Sequence, residues 1–243
     1  MADRPAPTAD DVVVLITAYQ AASRLPRTVA GLRAGLPGAR IVVADDGSTD
    51  GTDAVARELG ATVVRSPRNQ GKGGAATRGA RALLADPATR DAAIVLLCDG
   101  DLEGAEALAA LVDEVRAGRA DLAVAAFARR VGGGVGLARG FARWAIRDGC
   151  GLTTEAPISG QRALRREALA AVLPFAPRFG MEVGMTIDAV RAGLRVREVT
   201  LPLAHRATGR DLAGFLHRGR QLRDIVGAWA RRRVGGWRGS RAR

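Results

Sequence analysis

Apolar positions in this chain fall in short unbroken runs rather than in alternation. Val12-Val13-Val14-Leu15-Ile16, Ile41-Val42-Val43-Ala44 and Ala93–Cys98 are strand-length, and the first two are rich in β-branched residues, as expected of strands buried on both faces. Shorter runs at Ala61–Arg65 and Leu122–Phe127 predict two further strands. Between the runs the apolar spacing changes to three and four. Val29, Leu32 and Leu36 after Pro26, then Ala54–Leu59, then the small-residue stretch Ala75–Leu84 all predict helices. Ser48, Thr49 and Asp50 are natural N-caps for the second of these. Strand–helix alternation of this kind predicts an α/β, Rossmann-like fold: a mostly parallel central sheet, helices on both faces and right-handed crossovers.

Beyond Phe127 the pattern loosens. Gly132-Gly133-Gly134 and Gly136 predict a loop, followed by helices around Phe141–Ile146, over Ala163–Leu173 and over Val183–Ala192. Arg195–Leu201 predicts a strand, and Asp211–Arg233 a basic amphipathic helix with Trp229 among its apolar positions. The expected organisation is a flexible leader over 1–10, one domain over 11–210, the basic helix over 211–233 and a disordered Arg-rich tail over 234–243. The leader lacks the cationic start and apolar stretch of a signal peptide, and no apolar run is long enough to cross a bilayer. The expectation is a cytoplasmic chain, peripheral at the inner face of the membrane if Trp229, Trp237 and the arginines from Arg231 onward meet anionic lipid.

An apolar content of 47% with 26% charged residues excludes wholesale disorder and collagen. The formal charge is +12, and six arginines beyond residue 224 supply half of it. The remaining excess suits a phosphate-bearing ligand without implying nucleic acid. Cys98 and Cys150 are far apart and only two histidines are present, which argues against a disulfide scaffold or a Cys/His zinc site.

Three polar clusters fall at the carboxyl ends of predicted strands, where open parallel sheets place their ligands. Asp99-Gly100-Asp101 is an Asp-x-Asp with Glu103 close behind. Hard carboxylate oxygens suit Mg²⁺ or Mn²⁺, which can bridge diphosphate oxygens; a solvated acidic turn is the plainer alternative. The segment from Asp45 to Thr52 holds carboxylates able to accept hydrogen bonds from a nucleoside, or simply good helix caps. Asn69-Gln70-Gly71-Lys72-Gly73-Gly74 carries the chain's single lysine in a Gly-rich turn, but lacks the spacing of a P-loop.

Taken in order, these segments resemble family 2 glycosyltransferases of the GT-A fold, especially the dolichyl-phosphate mannose synthase-like branch. The resemblance rests on Val14–Tyr19, Val43–Thr52, Asn69–Gly73, Asp99–Glu103, Ser159–Ala163 and Arg206–Gly209. It implies a metal-dependent enzyme moving a sugar from a UDP- or GDP-linked donor to a phosphate-bearing acceptor such as polyprenyl phosphate, with inversion. In that implied site Thr17, Tyr19, Asp46, Lys72, Asp99 and Gly100 bind the nucleotide-sugar. Asp101, Glu103 and His205 surround the metal, Asp101 and Arg206 serve catalysis, and Arg129, Arg130 and Arg162 hold the acceptor. Glu182, in Gly180-Met181-Glu182-Val183-Gly184, is the candidate carboxylate for the acceptor. That segment is also similar to glucosyl-3-phosphoglycerate synthases, which use a small phosphorylated acceptor. Relatives read Pro-x-Tyr-Asn-Glu where this chain has Thr17, Gln20 and Ala21, which removes one expected ribose contact. A nucleotidyltransferase and a non-catalytic nucleotide-sugar-binding module are the alternatives from other classes. The first lacks its Gly-rich signature after the opening strand; the second is opposed by the intact Asp99, Asp101 and Arg206.

Overall fold

The structure, a computed structural model, describes residues 11–129, 137–204 and 212–234, with side chains throughout except at 129, 204 and 212–218. Seven strands form one sheet in the order β3-β2-β1-β4-β6-β5-β7. They are β1 (Val12–Ala18), β2 (Arg40–Asp45), β3 (Thr62–Arg65), β4 (Ile94–Asp99), β5 (Leu122–Arg129), β6 (Arg162–Arg165) and β7 (Val196–Ala204). β6 runs antiparallel to β4 and β5, and every other pairing is parallel. The helices are α1 (Leu25–Gly35), α2 (Thr52–Glu58), α3 (Lys72–Ala85), α4 (Ala109–Arg116), α5 (Leu137–Cys150), α6 (Arg166–Ala171), α7 (Met181–Arg191) and α8 (Leu212–Val234).

The runs that predicted doubly buried strands behave as such. Val12, Val14 and Ile16 face α1 and α4, while Val13 and Leu15 face α3 and α7. Each fully buried aliphatic side chain stabilises the sheet by roughly 1.5–3 kcal/mol. Two local expectations need correction. Residues 163–165, expected to begin a helix, belong to β6, because Leu97↔Arg162 and Ile94↔Arg165 pairing completes the edge of β4; only then does α6 start. The N-cap of α2 is Gly51 in a left-handed conformation, not Ser48, Thr49 or Asp50, although Asp50 accepts the Thr52 N–H at 3.1 Å.

The basic helix α8 packs on the domain. Ile225 and Ala228 are fully buried, and Ile225 shares a cluster with Ala142, Ala145, Ile146, Val183 and Ile187. Trp229 and Arg232, offered from sequence for a lipid surface, pack against the domain, while Arg233 is exposed but paired. Trp229 Nε1 donates to Asp148 at 2.8 Å, and Arg232 Nε to Asp188 at 2.7 Å. Arg233 reaches Asp148 at 3.1 Å. Of the described arginines offered for the membrane contact, Arg231 and Arg233 are exposed, Arg233 with its guanidinium against Asp148. Among the described residues no helix is long and apolar enough to cross a membrane.

Candidate active site

The carboxyl ends of β1, β2 and β4 lie side by side, since these strands are parallel neighbours in register. They open onto a cleft of about 270 Å³. Thr17, Ala18 and Tyr19 line it from β1, Asp46 from the exit of β2, and Asp99, Gly100 and Asp101 from β4. Asn69, Gly71 and Lys72 contribute the start of α3, and Arg178 and Phe179 come from the turn before α7. All six predicted nucleotide-sugar residues therefore meet in one cleft. Tyr19 is half exposed there, so an aromatic face is available to a ligand.

Lys72 is the hub. Its Nζ lies 2.6 Å from Asp99 Oδ1 and 2.8 Å from Glu182 Oε1, bridging the aspartate of the first acidic motif and the carboxylate expected at the acceptor. Burial works against the ammonium, but the two carboxylates outweigh it and hold its pKa above the ordinary lysine value. Burial likewise raises Asp99, yet Lys72, Gln161 and Thr17 together bring it below the ordinary carboxylate value. Gln161 grips Asp99 twice: its Nε2 donates to Oδ2 at 2.8 Å, and its Oε1 accepts the Asp99 N–H at 3.1 Å. Gly160 is small for a reason, because a Cβ there would stand 2.6 Å from Asp99 Oδ2 and collide with the Lys72 ammonium.

The cluster from Asp45 to Thr52 is largely a clamp. Ser48 Oγ accepts the Gln20 N–H at 3.0 Å, Thr52 Oγ1 the Ala21 N–H at 2.9 Å and Asp50 the Ala22 N–H at 3.0 Å. Gln20 exchanges two hydrogen bonds with Thr49 at 3.0 and 3.1 Å. These bonds fix the loop after β1 even though Gln20 and Ala21 depart from the family sequence. Asp46 accepts the Gln70 and Gly71 N–H groups at 2.8 and 2.7 Å, so it shapes the lysine-bearing turn as well as lining the cleft. Desolvation nonetheless leaves its pKa raised, against the pull of those two bonds.

Asp101 is the accessible carboxylate, 53% exposed, with Arg24 Nη1 at 3.2 Å. A cation ligated by one protein carboxylate, diphosphate oxygens and water is ordinary Mg²⁺ chemistry, so Asp101 fits that role. Glu103 does not join it: the side chain is turned to Arg27 at 3.2 Å and is absent from the cleft wall. Among the described residues no three His, Cys, Asp or Glu side chains are grouped to hold a metal. Arg162, expected to grip the acceptor, is instead buried behind the site. Its Nε donates to the Ser159 carbonyl at 2.8 Å and its Nη1 to Thr186 Oγ1 at 2.9 Å. Burial pushes its pKa down to about 10 despite the opposing fields of Glu182 and Glu198. A buried guanidinium of this kind positions the 159–161 turn and does not meet a ligand. Arg130, His205 and Arg206 lie outside the described residues, as does the side chain of Arg129.

Sequence reasoning missed Gln161, Arg24 and Arg178. Gln161 sits inside a quoted motif, one residue from the arginine that drew attention. Arg24 and Arg178 lie in no motif and reach the cleft only through the fold.

Residues 13–173 match the family described as glycosyl transferase family 2. The undecaprenyl-phosphate mannosyltransferase of Micrococcus luteus is 30% identical over 217 residues, covering 82% of this chain and 85% of that protein. Glucosyl-3-phosphoglycerate synthase of Mycobacterium tuberculosis is 34% identical over 206 residues, covering 73% of this chain; the match spans 60% of that protein's length. The crystal structure of a glucosyl-3-phosphoglycerate synthase from M. tuberculosis in complex with phosphoglyceric acid superposes with a TM-score of 0.73 at 28% identity, covering 95% of this chain and 85% of that one. The complex of the same enzyme with Mn²⁺, UDP and glucosyl-3-phosphoglycerate gives a TM-score of 0.71 at 26% identity, covering 96% and 86%. With the acidic motif, the lysine turn and the mostly parallel sheet in place, the fold is GT-A and the chain belongs to glycosyl transferase family 2.

Proposed function

We propose that this glycosyltransferase moves a hexosyl group from a uridine diphosphate sugar to the hydroxyl of a small phosphorylated acceptor, in the presence of Mg²⁺ or Mn²⁺. The observation that carries the reading is the Asp99–Lys72–Glu182 array. The array ties the donor aspartate through Lys72 to Glu182, buried behind the cleft wall, and the superposition on a synthase holding phosphoglyceric acid supports the small phosphorylated acceptor. Support for the donor and the metal comes from the M. tuberculosis enzyme, whose complexes hold Mn²⁺ and UDP-glucose with phosphoglyceric acid, and Mg²⁺ with UDP.

In this reading Tyr19 and Asp46 frame the nucleoside, and the Lys72 turn faces the diphosphate. Asp101 holds the cation, with His205 as a proposed further ligand. When bound, the cation neutralises charge that develops on the departing diphosphate. Arg206 is proposed to share that task from its loop. Glu182, buried and outside the cleft wall, acts on the acceptor side through the Lys72 ammonium that it holds. Much of the acceleration then comes from holding both substrates in attack geometry.

A second reading has its own support. The mannosyltransferase match covers more of this chain than the synthase match, which keeps polyprenyl phosphate open as the acceptor. One assay separates them: the protein with Mn²⁺, UDP-glucose or GDP-mannose, and either 3-phosphoglycerate or a short polyprenyl phosphate. Transfer to 3-phosphoglycerate is the expected result, with NMR of the product's anomeric centre testing the inversion expected from sequence. Transfer to the lipid phosphate alone would move the assignment to the second reading, and silence with every pair would refute both.

A further inference from the structure

Among the described residues three cationic side chains line the cleft, and two are already spoken for. Lys72 is held by Asp99 and Glu182, and Arg24 by Asp101 and the Gln20 carbonyl. The third is Arg178. It belongs to no recognised motif, yet its side chain forms part of the wall. Among the described residues its guanidinium has no ion pair and no hydrogen bond, and the residue is exposed.

Its backbone is unusual as well. Arg178 has φ +52, the left-handed region that residues with a Cβ rarely adopt. The residue it packs against is shaped to receive it. Gly71, at φ +80, presents its bare Cα to the arginine stem, and a Cβ there would stand 2.6 Å from Arg178 Cγ. The stem is thus pressed onto the turn that carries Lys72, and the charged end pulls on the Asp46 carboxylate without forming an ion pair or hydrogen bond with it. A glycine at 178 would adopt the same turn without strain, so the backbone gives no reason for arginine. An unpaired guanidinium fixed in the wall of a cleft that takes a diphosphate does.

We propose that Arg178 is a ligand-binding residue of this cleft, its guanidinium taking phosphate oxygens of a bound substrate. The inference rests on the transferase reading. The phosphate can be the donor's diphosphate or that of a phosphorylated acceptor, and Arg178's place beside Gly71 and Asp46 favours the donor.

The test uses the full chain carrying Arg178→Gly or Arg178→Lys, with two measurements on each: thermal midpoint, and calorimetric titration with UDP plus Mn²⁺ and separately with 3-phosphoglycerate. Arg178→Gly is expected to keep or raise the midpoint, because strain is relieved, while weakening UDP binding about tenfold. Arg178→Lys keeps the charge but not the planar fork, and is expected to bind UDP with an affinity between those of the wild type and the glycine variant. Weakened binding of 3-phosphoglycerate alone would assign the guanidinium to the acceptor's phosphate. Unchanged affinity for both ligands in Arg178→Gly would overturn the proposal. So would equal losses in the lysine and glycine variants, since shape rather than charge would then be responsible. A wild-type chain that binds neither probe would refute the proposed uridine diphosphate donor and phosphoglycerate acceptor and this inference with them, a result distinct from wild-type binding that the substitutions leave intact.

Discussion

Lys72 stands alone against 36 arginines, and the space it fills explains the choice. A compact ammonium fits between two carboxylate oxygens at 2.6 and 2.8 Å with Gly160 pressed behind it; a planar guanidinium does not. Lys72→Met would leave Asp99 and the buried Glu182 facing each other without a cation. Breaking a buried pair costs about 3–5 kcal/mol, and the partial exposure of Lys72 and Asp99 lowers the expectation to about 2–3 kcal/mol. The pH dependence follows from the two shifts. Asp99 is depressed, so its contribution is present above the unfolded value and fades as pH falls through the folded one. Lys72 is raised, so its contribution is present below the unfolded lysine value and is lost only as pH rises through a higher one. The penalty should therefore be largest around neutral pH and narrow as pH falls, because Asp99 in the variant, desolvated and without its cation, takes up a proton more readily than in the wild type. Urea unfolding of both proteins from neutral to acid pH measures it, and a penalty that grows with acid would refute the array as drawn. The lysine was legible in the sequence as an oddity of composition; its two partners, 27 and 110 residues further along, were not.

At the scale of elements, legibility followed burial. β1, β2 and β4 lie inside the sheet with both faces covered, and their unbroken apolar runs announced them. β6 has four residues, two of them arginines, and exists because β4 and β5 both need a partner, a demand no local pattern records. The basic face of α8 was equally opaque. Arginines beside a tryptophan read alike whether they await lipid or carboxylates, and the deciding Asp148 and Asp188 lie 85 and 44 residues away from Arg233 and Arg232. The docked arrangement makes a contrast between neighbours. Arg232 and Asp188 are each 15% exposed and doubly bonded, so Arg232→Gln should cost about 2 kcal/mol. Arg231, one residue away and facing solvent, should change stability by less than about 0.5 kcal/mol when replaced by Gln. Denaturant midpoints of the two single variants check this, and equal effects would show that α8 is not seated as described.

At the scale of the whole molecule, the cleft couples ligand to stability. It is built from loops after β1, β2 and β4 and from the turn before α7, so a ligand there bridges segments far apart in sequence. A nucleotide that binds the folded chain alone, at a free concentration 100 times its dissociation constant, adds about 2.7 kcal/mol. For a domain of this size each kcal/mol raises the midpoint by roughly 2–4 °C, so UDP with Mn²⁺ should shift it by about 5–10 °C. The metal-dependent share should vanish in Asp101→Ala, since Asp101 is the accessible carboxylate among those lining the cleft, while Asp46 is tied to the Lys72 turn and Asp99 to Lys72 and Gln161. Glu103→Ala should leave that share intact, because its side chain is committed to Arg27 away from the cleft. Thermal melts of wild type and both variants, with UDP and with or without Mn²⁺, distinguish the roles. If Glu103→Ala abolished the metal-dependent shift and Asp101→Ala preserved it, the cation would have to sit outside the cleft and the geometry assigned to the donor site would be wrong.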